Sequence, residues 1–126
     1  RWFEAYVPKP LARHLLKEGD TRAVESELRN LTVMFTDIVG FSTWSQERDA
    51  AAVAAYLNRH FAIVNGCIEA EGGIVDKYIG DCVMAFWGAP EKIKNRAERA
   101  CRAALAMRAA IERDNAECRA RGESET

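Results

Sequence analysis

The segment Leu31–Ile38, LTVMFTDI, is an almost unbroken run of apolar and β-branched residues. Such a run predicts a strand, and its lack of alternation predicts burial on both faces. Asp37 stands at its end. Ile74–Ile79 and Cys82–Trp87 are two further runs of this kind, separated only by Gly80 and Asp81. That spacing predicts a hairpin, its first central glycine suited to a type II′ turn, with Asp81 at the tip. Between the first strand and the hairpin the period changes. Val53, Leu57, Phe61, Val64 and Ile68 recur every three or four residues, which predicts a helix from an Asp49 cap to about Glu71, ended by Gly72 and Gly73. Gly40 to Gln46 reads as a loop and a short helix start, and Gly88, Ala89 and Pro90 close the hairpin. Asn95 to about Arg121 predicts a last, Ala-rich helix, with Ala97, Cys101, Ala104, Leu105 and Ile111 inward and the pairs Glu98–Arg102 and Glu117–Arg121 outside.

Upstream, Pro8 and Pro10 open a short helix that runs to Glu18 and stops at Gly19, and the polar stretch Asp20 to Asn30 connects it to the first strand. The order helix, strand, helix, strand, strand, helix predicts an α+β fold, a ferredoxin-like split βαβ sheet with helices on one face. The other face is left open or covered by something else. Tyr78, Met84 and Phe86 on the hairpin are candidates for a partner surface there, or else they pack under the helices.

Composition narrows the class. A chain of 126 residues, 48% hydrophobic and 29% charged, suits one globular domain and excludes a disordered tail. Eighteen Lys and Arg against 19 Asp and Glu leave a net charge of -1, without the basic excess that nucleic-acid binding along the whole chain needs. No apolar run is long enough for a membrane helix, and Arg1–Pro10 lacks a signal-peptide core, so the piece reads as cytoplasmic. Cys67, Cys82, Cys101 and Cys118 are widely spread beside only two histidines, which predicts small buried hydrophobes in a reducing compartment rather than a zinc site or disulfides. A chain that begins at Arg1 and stops in a polar tail reads as an excerpt of a longer polypeptide.

Asp37 and Asp81 are the sharpest chemical pair. In a split βαβ sheet the first strand lies beside the hairpin, so the two carboxylates can converge. With a backbone carbonyl they suit a hard divalent cation such as Mg²⁺, which takes oxygen ligands and keeps positions open for phosphates. The plainer reading is a helix cap for Asp37 and a turn residue for Asp81. Gly40, Phe41 and Ser42 follow the first carboxylate and open a helix, so their amides are candidates for phosphate oxygens. Strict alternation places Lys77 on the face of Val75 and Ile79, as a functional cation or as an edge-strand lysine. His14 and His60 form no constellation with Cys or Ser, and His60 reads as a helix-face residue without a role. Trp2, Trp44 and Trp87 read as packing or interface aromatics.

Together LTVMFTDIVGFSTWS, GGIVDKYIGDCVMAFWGAP and RAERACRAALAM resemble the first half of the class III nucleotidyl cyclase catalytic domain, the adenylate and guanylate cyclases, over roughly Leu31 to Ile111. The resemblance implies that Asp37, Asp81 and the backbone carbonyl of Ile38 hold two ions per site, Mg²⁺ or Mn²⁺. By the same resemblance Gly40, Phe41 and Ser42 lie over the triphosphate. Lys77 matches a purine-selecting position that is Lys in adenylate cyclase-like enzymes and typically Glu in guanylate cyclases, which favours ATP. The implied activity is ATP to 3′,5′-cyclic AMP and pyrophosphate, in signal transduction. Its site lies between the two chains of a head-to-tail homodimer, one holding the metals and the other the purine.

The family's second half supplies another purine-selecting residue and the Asn and Arg of the transition state. This sequence ends before them, so the chain offers metal ligands and one purine contact but no complete site, and exposes sheet surface that the absent strands would cover. Residues 1–30 then stand as a helix and connector to an upstream sensory or membrane module, and 31–126 as the first part of the catalytic domain. The alternatives are a guanylate cyclase and a non-catalytic, cyclase-like regulatory or dimerisation domain. A diguanylate cyclase lacks support, because the hairpin tip reads Tyr78, Ile79, Gly80, Asp81, Cys82 in place of G-G-[DE]-E-F.

Overall fold

A computed structural model describes residues 28–122. The helix expected from Pro8 to Glu18, with Trp2 and His14, lies outside the described residues. Within them the chain forms β1 (Thr32–Thr36), α1 (Phe41–Gln46), α2 (Ala50–Ala70), β2 (Ile74–Ile79), β3 (Cys82–Trp87) and α3 (Arg96–Arg121). The sheet has the order β1-β3-β2 with both pairings antiparallel. The helices α2 and α3 pack on each other and on one face of the sheet, α2 over β2 and α3 over β3 and β1. This is the α+β arrangement the element order predicts. No helix among the described residues is long and apolar enough to cross a membrane.

Local chemistry sets the helix ends. Asp49 accepts a hydrogen bond from the Ala52 amide at 2.8 Å and so caps α2. At the other end the Gly72 amide donates to Glu69 O and the Gly73 amide to Ile68 O, the paired bonds of a Schellman ending. That turn brings Gly73 against Trp87, which is fully buried and donates its indole N–H to Glu71 O at 3.1 Å. Arg99 of α3 donates to the same carbonyl at 3.2 Å, so one oxygen ties α2, β3 and α3 together. Val64, Ile68, Val83, Ala85, Ala100, Ala103 and Met107 complete the core around Trp87.

Several expectations change. In β1 only Thr32, Met34 and Thr36 are shielded, while Val33 and Phe35 are 45% and 63% exposed. The continuous apolar run therefore marks one face packed on helices and one apolar face left open. In α3 the buried side chains are Ala100, Ala103, Met107 and Cys118. Ala97, Cys101, Ala104 and Leu105 face out and Ile111 is half-buried, because alanines all round the helix make its inward stripe ambiguous by composition. Of the cysteines, only Cys118 is buried, and Cys101 is exposed. The outer pairs form as expected, Arg102 to Glu98 at 2.8 Å and Arg121 to Glu117 at 4.0 Å.

The hairpin holds a further correction. Val75 pairs with Ala85 but Lys77 pairs with Met84, so Asp76 is an extra residue in β2 and the alternation slips there. Lys77 therefore shares a face with Met84 and Ile79 and not with Val75. Tyr78 is paired with Val83 on the helix side, its ring 4.6 Å from that of Phe61 on α2, and it leaves the open face to Met84 and Phe86.

Two glycines of α2 and its ending respond to alanine in opposite ways. A Cβ on Gly73 would meet Trp87 ring carbons at 2.6 and 2.7 Å and Ile68 Cγ2 at 2.8 Å, whereas one on Gly66 meets nothing within 4 Å. Gly73→Ala is expected to lower unfolding stability by about 2 kcal/mol, an overpacking cost, and Gly66→Ala to raise it by roughly 0.5–1 kcal/mol through helix propensity. Urea unfolding of both variants checks the pair, and equal effects would contradict the packing described.

Candidate functional site

The β1–β3 register runs from Thr32 opposite Trp87 to Thr36 opposite Val83, so the residues that follow Thr36 leave the sheet beside the hairpin tip. Gly80 takes φ +62° and Asp81 stays out of the left-handed region, as a type II′ turn requires and a type I′ turn forbids. The result is a direct meeting. The amide of Ile38 donates to Asp37 Oδ1 at 3.0 Å and to Asp81 Oδ2 at 2.9 Å. Ile38 itself is buried, 7% exposed, which anchors the backbone that carries this shared donor.

Two carboxylates at one amide repel each other as charges. A hydrogen bond between the Asp37 and Asp81 side chains is the largest cause that raises Asp37 above 3.8, followed by the charge of Asp81. For Asp81, partial burial pushes upward. The hydrogen bonds from the Asp37 carboxyl and from the Ile38 and Asp81 amides, with nearby His60, outweigh it and leave Asp81 below 3.8. The two carboxyls are thus pushed apart, Asp37 upward and Asp81 downward. No group of three or more Cys, His, Asp or Glu side chains gathers to hold a metal among the described residues. A pair of carboxylates in need of a countercharge fits Mg²⁺ or Mn²⁺, which are bound by one or two carboxylates and completed by water and substrate phosphates.

The loop after β1 is compact. Gly40 (φ +71°) stands at the N-terminal end of α1, the Phe41 amide donates to Ile38 O at 3.3 Å, and the Trp44 amide to Gly40 O at 3.0 Å. The carbonyl expected to ligate metal therefore already accepts one hydrogen bond and retains its second lone pair. Phe41 does not project into solvent but packs with Trp44 and Tyr56, whose rings lie 4.1 Å apart. Ser42 is exposed, and its amide has no partner within the helix. Asp37, Ile38, Asp81 and this loop come together. Lys77 does not join them, since it stands on the open sheet face with its Nζ 3.6 Å from Asp76 Oδ2.

His60 is the residue that sequence reading passed over. It is 4% exposed, and neither ring nitrogen has a hydrogen-bond partner. Burial, the largest cause, lowers it from 6.5, partly opposed by the charge of Asp81. The signal was present in the spacing. Tyr56, His60, Val64 and Ile68 follow one another by four and are the buried line of α2, flanked by the half-buried Val53, Leu57 and Phe61.

With this geometry in view, residues 23–122 match the adenylate and guanylate cyclase catalytic domain, and the chain belongs to that family. Adenylate cyclase 1 of Rhizobium meliloti is 37% identical over 120 residues, covering 95% of this chain and 18% of that protein. The crystal structure of the adenylyl cyclase CyaB from P. aeruginosa is 34% identical with a TM-score of 0.75, over 82% of this chain and 54% of that one. A dimeric guanylyl cyclase domain of the RhoGC fusion protein from Blastocladiella emersonii is 28% identical with a TM-score of 0.65, over 70% of this chain and 49% of that one. The chain thus spans about a fifth of the curated relatives it matches, 18% and 22% of the first two.

The buried histidine gives a pH test. Its folded pKa lies below 6.5, so the unfolded chain takes up the proton first as pH falls, and stability is fully present above 6.5 and lost below it. Urea midpoints are expected to fall between about pH 7 and about pH 5.5, and the fall to be shallower in His60→Phe. An equally steep loss in the variant would remove His60 as its source.

Proposed function

We propose that this chain is the metal- and triphosphate-binding part of an adenylate cyclase, which converts ATP to 3′,5′-cyclic AMP and pyrophosphate at the interface of a homodimer. The observation that carries this reading is the convergence of Asp37 and Asp81 on the Ile38 amide. The adenylate cyclase relatives and the adenylyl cyclase structures support it. In this reading residues 31–126 are the first part of the catalytic domain, and 1–30 connect it to an upstream sensory or membrane module on the cytoplasmic side.

Asp37, Asp81 and the Ile38 carbonyl would hold two Mg²⁺ or Mn²⁺ ions. Bound there, the ions supply a lowered pKa for the ribose 3′-hydroxyl and neutralise triphosphate charge for in-line attack on the α-phosphate. The chain's own part is preparatory. The mutual repulsion of Asp37 and Asp81, which raises Asp37, is what a bound cation would relieve. The Ile38 amide fixes one oxygen of each carboxylate, which leaves the others to face the ions. Gly40, Phe41 and Ser42 place backbone amides over the triphosphate, Phe41 being locked there by Trp44 and Tyr56.

Lys77 would read the purine. An ammonium donates only, which suits the acceptor N1 of adenine and not the N1–H of guanine. Its position on the open face, away from Asp37, supports service to the site formed with a second copy.

The experiment is conversion of ATP and GTP by the full-length protein with Mg²⁺ or Mn²⁺. Asp37→Ala and Asp81→Ala are each expected to lower cyclic AMP formation by about a hundredfold or more, in line with loss of a group that stabilises developing charge. A mixture of Lys77→Ala and Asp37→Ala chains should regain part of the activity, and Lys77→Glu should move preference toward GTP. No cyclic nucleotide from the wild type under either metal would leave a non-catalytic, cyclase-like regulatory domain as the better reading.

A second expectation concerns stability alone. Asp37→Asn removes the repulsion at the shared amide, so without metal its melting temperature should exceed that of the wild type. The rise that Mn²⁺ gives the wild type should be absent from it. A wild type indifferent to Mn²⁺ would argue against a cation at this pair.

A further inference from the structure

One buried line of α2 joins the two ends of the fold. At its C-terminal end Ile68 and Trp87 both lie against Gly73. At its N-terminal end Tyr56 packs on Trp44 and Phe41, in the segment that follows Asp37. Tyr56, His60, Val64 and Ile68 follow one another by four, an advance of about 6 Å each, close to that of two residues of strand. With Ile68 beside Trp87, the same step brings Val64 to the level of Ala85 and His60 to the level of Val83, two residues from Asp81.

Polar groups without partners gather at that level. His60 is 4% exposed, and neither ring nitrogen has a hydrogen-bond partner among the described residues. Thr36, paired with Val83 and directly before Asp37, has a buried hydroxyl that also lacks one. A buried imidazole that bonds to nothing is a cost to folding that an apolar ring in the same space does not carry. Burial, the larger effect, lowers His60 from 6.5 and so favours the neutral ring, which has one N–H to give. Asp81 is the carboxylate whose charge acts on that ring, in opposition to burial.

A carboxylate that ligates a cation is oriented by hydrogen bonds from behind. The Ile38 amide supplies one to Asp81 but shares it with Asp37. We propose that His60 is a positioning residue for the cation site, its ring N–H turning to the Asp81 carboxylate when a cation is bound and so fixing the hairpin tip to α2. This rests on the reading of Asp37 and Asp81 as a cation pair and adds a residue to it. In this role the ring touches neither metal nor nucleotide, and its effect is on cation affinity.

The test measures Mn²⁺ binding by calorimetry without nucleotide, and melting temperature in EDTA, on the full-length protein and its His60→Phe, His60→Gln and Asp37→Ala variants. Phenylalanine keeps a ring in place and removes both nitrogens, so the metal-free His60→Phe protein should melt no lower than the wild type. Its Mn²⁺ affinity should nevertheless fall by about tenfold or more, the usual loss when a group behind a metal ligand is removed. Glutamine keeps an N–H and should recover most of that loss. Affinity then moves without stability, which a histidine that only fills space does not allow. Wild-type affinity in His60→Phe beside a weakened Asp37→Ala overturns the role of His60 and leaves the cation pair standing. A glutamine variant no better than phenylalanine, or affinity that falls only in step with melting temperature, does the same. Absence of Mn²⁺ binding, or an affinity that none of the three variants changes, overturns both readings.

Discussion

The carbonyl of Glu71 holds this fold together. It belongs to the cap residue that follows α2, and it takes the indole N–H of Trp87 from the centre of the sheet and a guanidinium N–H of Arg99 from α3. A helix end leaves carbonyls in need of donors, and here two come from elements far along the chain. The contact works only because Gly73 has no side chain, since ring carbons of Trp87 lie where its Cβ would be. Helix ending, central strand and last helix are therefore one unit. Arg59 reinforces the helix pair at the far end with an ion pair to Asp114 at 3.0 Å.

From Trp87 the consequence passes along β3. This strand lies between β1 and β2, so its register sets both neighbours, and a slip by one residue would turn every side chain to the wrong face. Thr32 opposite Trp87 fixes Thr36 opposite Val83, and that places the chain after β1 at the hairpin tip. The meeting of Asp37 and Asp81 at the Ile38 amide is thus a remote effect of packing at the other end of the sheet. Electrostatics opposes it, since like charges at one donor are unfavourable without a cation. Core packing holds together what the charges would separate.

What could be read from sequence follows from which features are local. The strands, the Asp49 cap, the Gly72–Gly73 ending and the Gly80–Asp81 turn are local chemistry, and each appears where its residues predict. The convergence of Asp37 and Asp81 was readable as well, because strand order follows from connection rules once the elements are named. Facing was the weak point. The slip at Asp76 turns Lys77 away from Val75 and Tyr78 toward Phe61, and nothing in a run of strand-forming residues announces an extra one. The same applies to α3, where alanines at Ala97, Ala100, Ala103 and Ala104 leave the inward stripe to be settled by α2 and the sheet. The polarity of His60 points outward while its place four residues from Tyr56 and from Val64 marks the buried line, and packing follows the spacing.

The open face of the sheet links the fold to the proposed chemistry. Val33, Phe35 and Ile79 are exposed there, with Met84 and Phe86 half-buried among them and Lys77 on the same side. Apolar side chains standing together on one face are the mark of a surface that is covered in the working assembly. Whatever covers it meets Lys77 at the same time. Asp37 and Asp81 sit instead at the end of the strands, held by the Ile38 amide, so Lys77 and the carboxylates of one chain serve different surroundings. In the proposed function this separation is what assigns Lys77 and the carboxylate pair of one chain to different sites. The three-stranded sheet buries one apolar face in its own helices and leaves the other open.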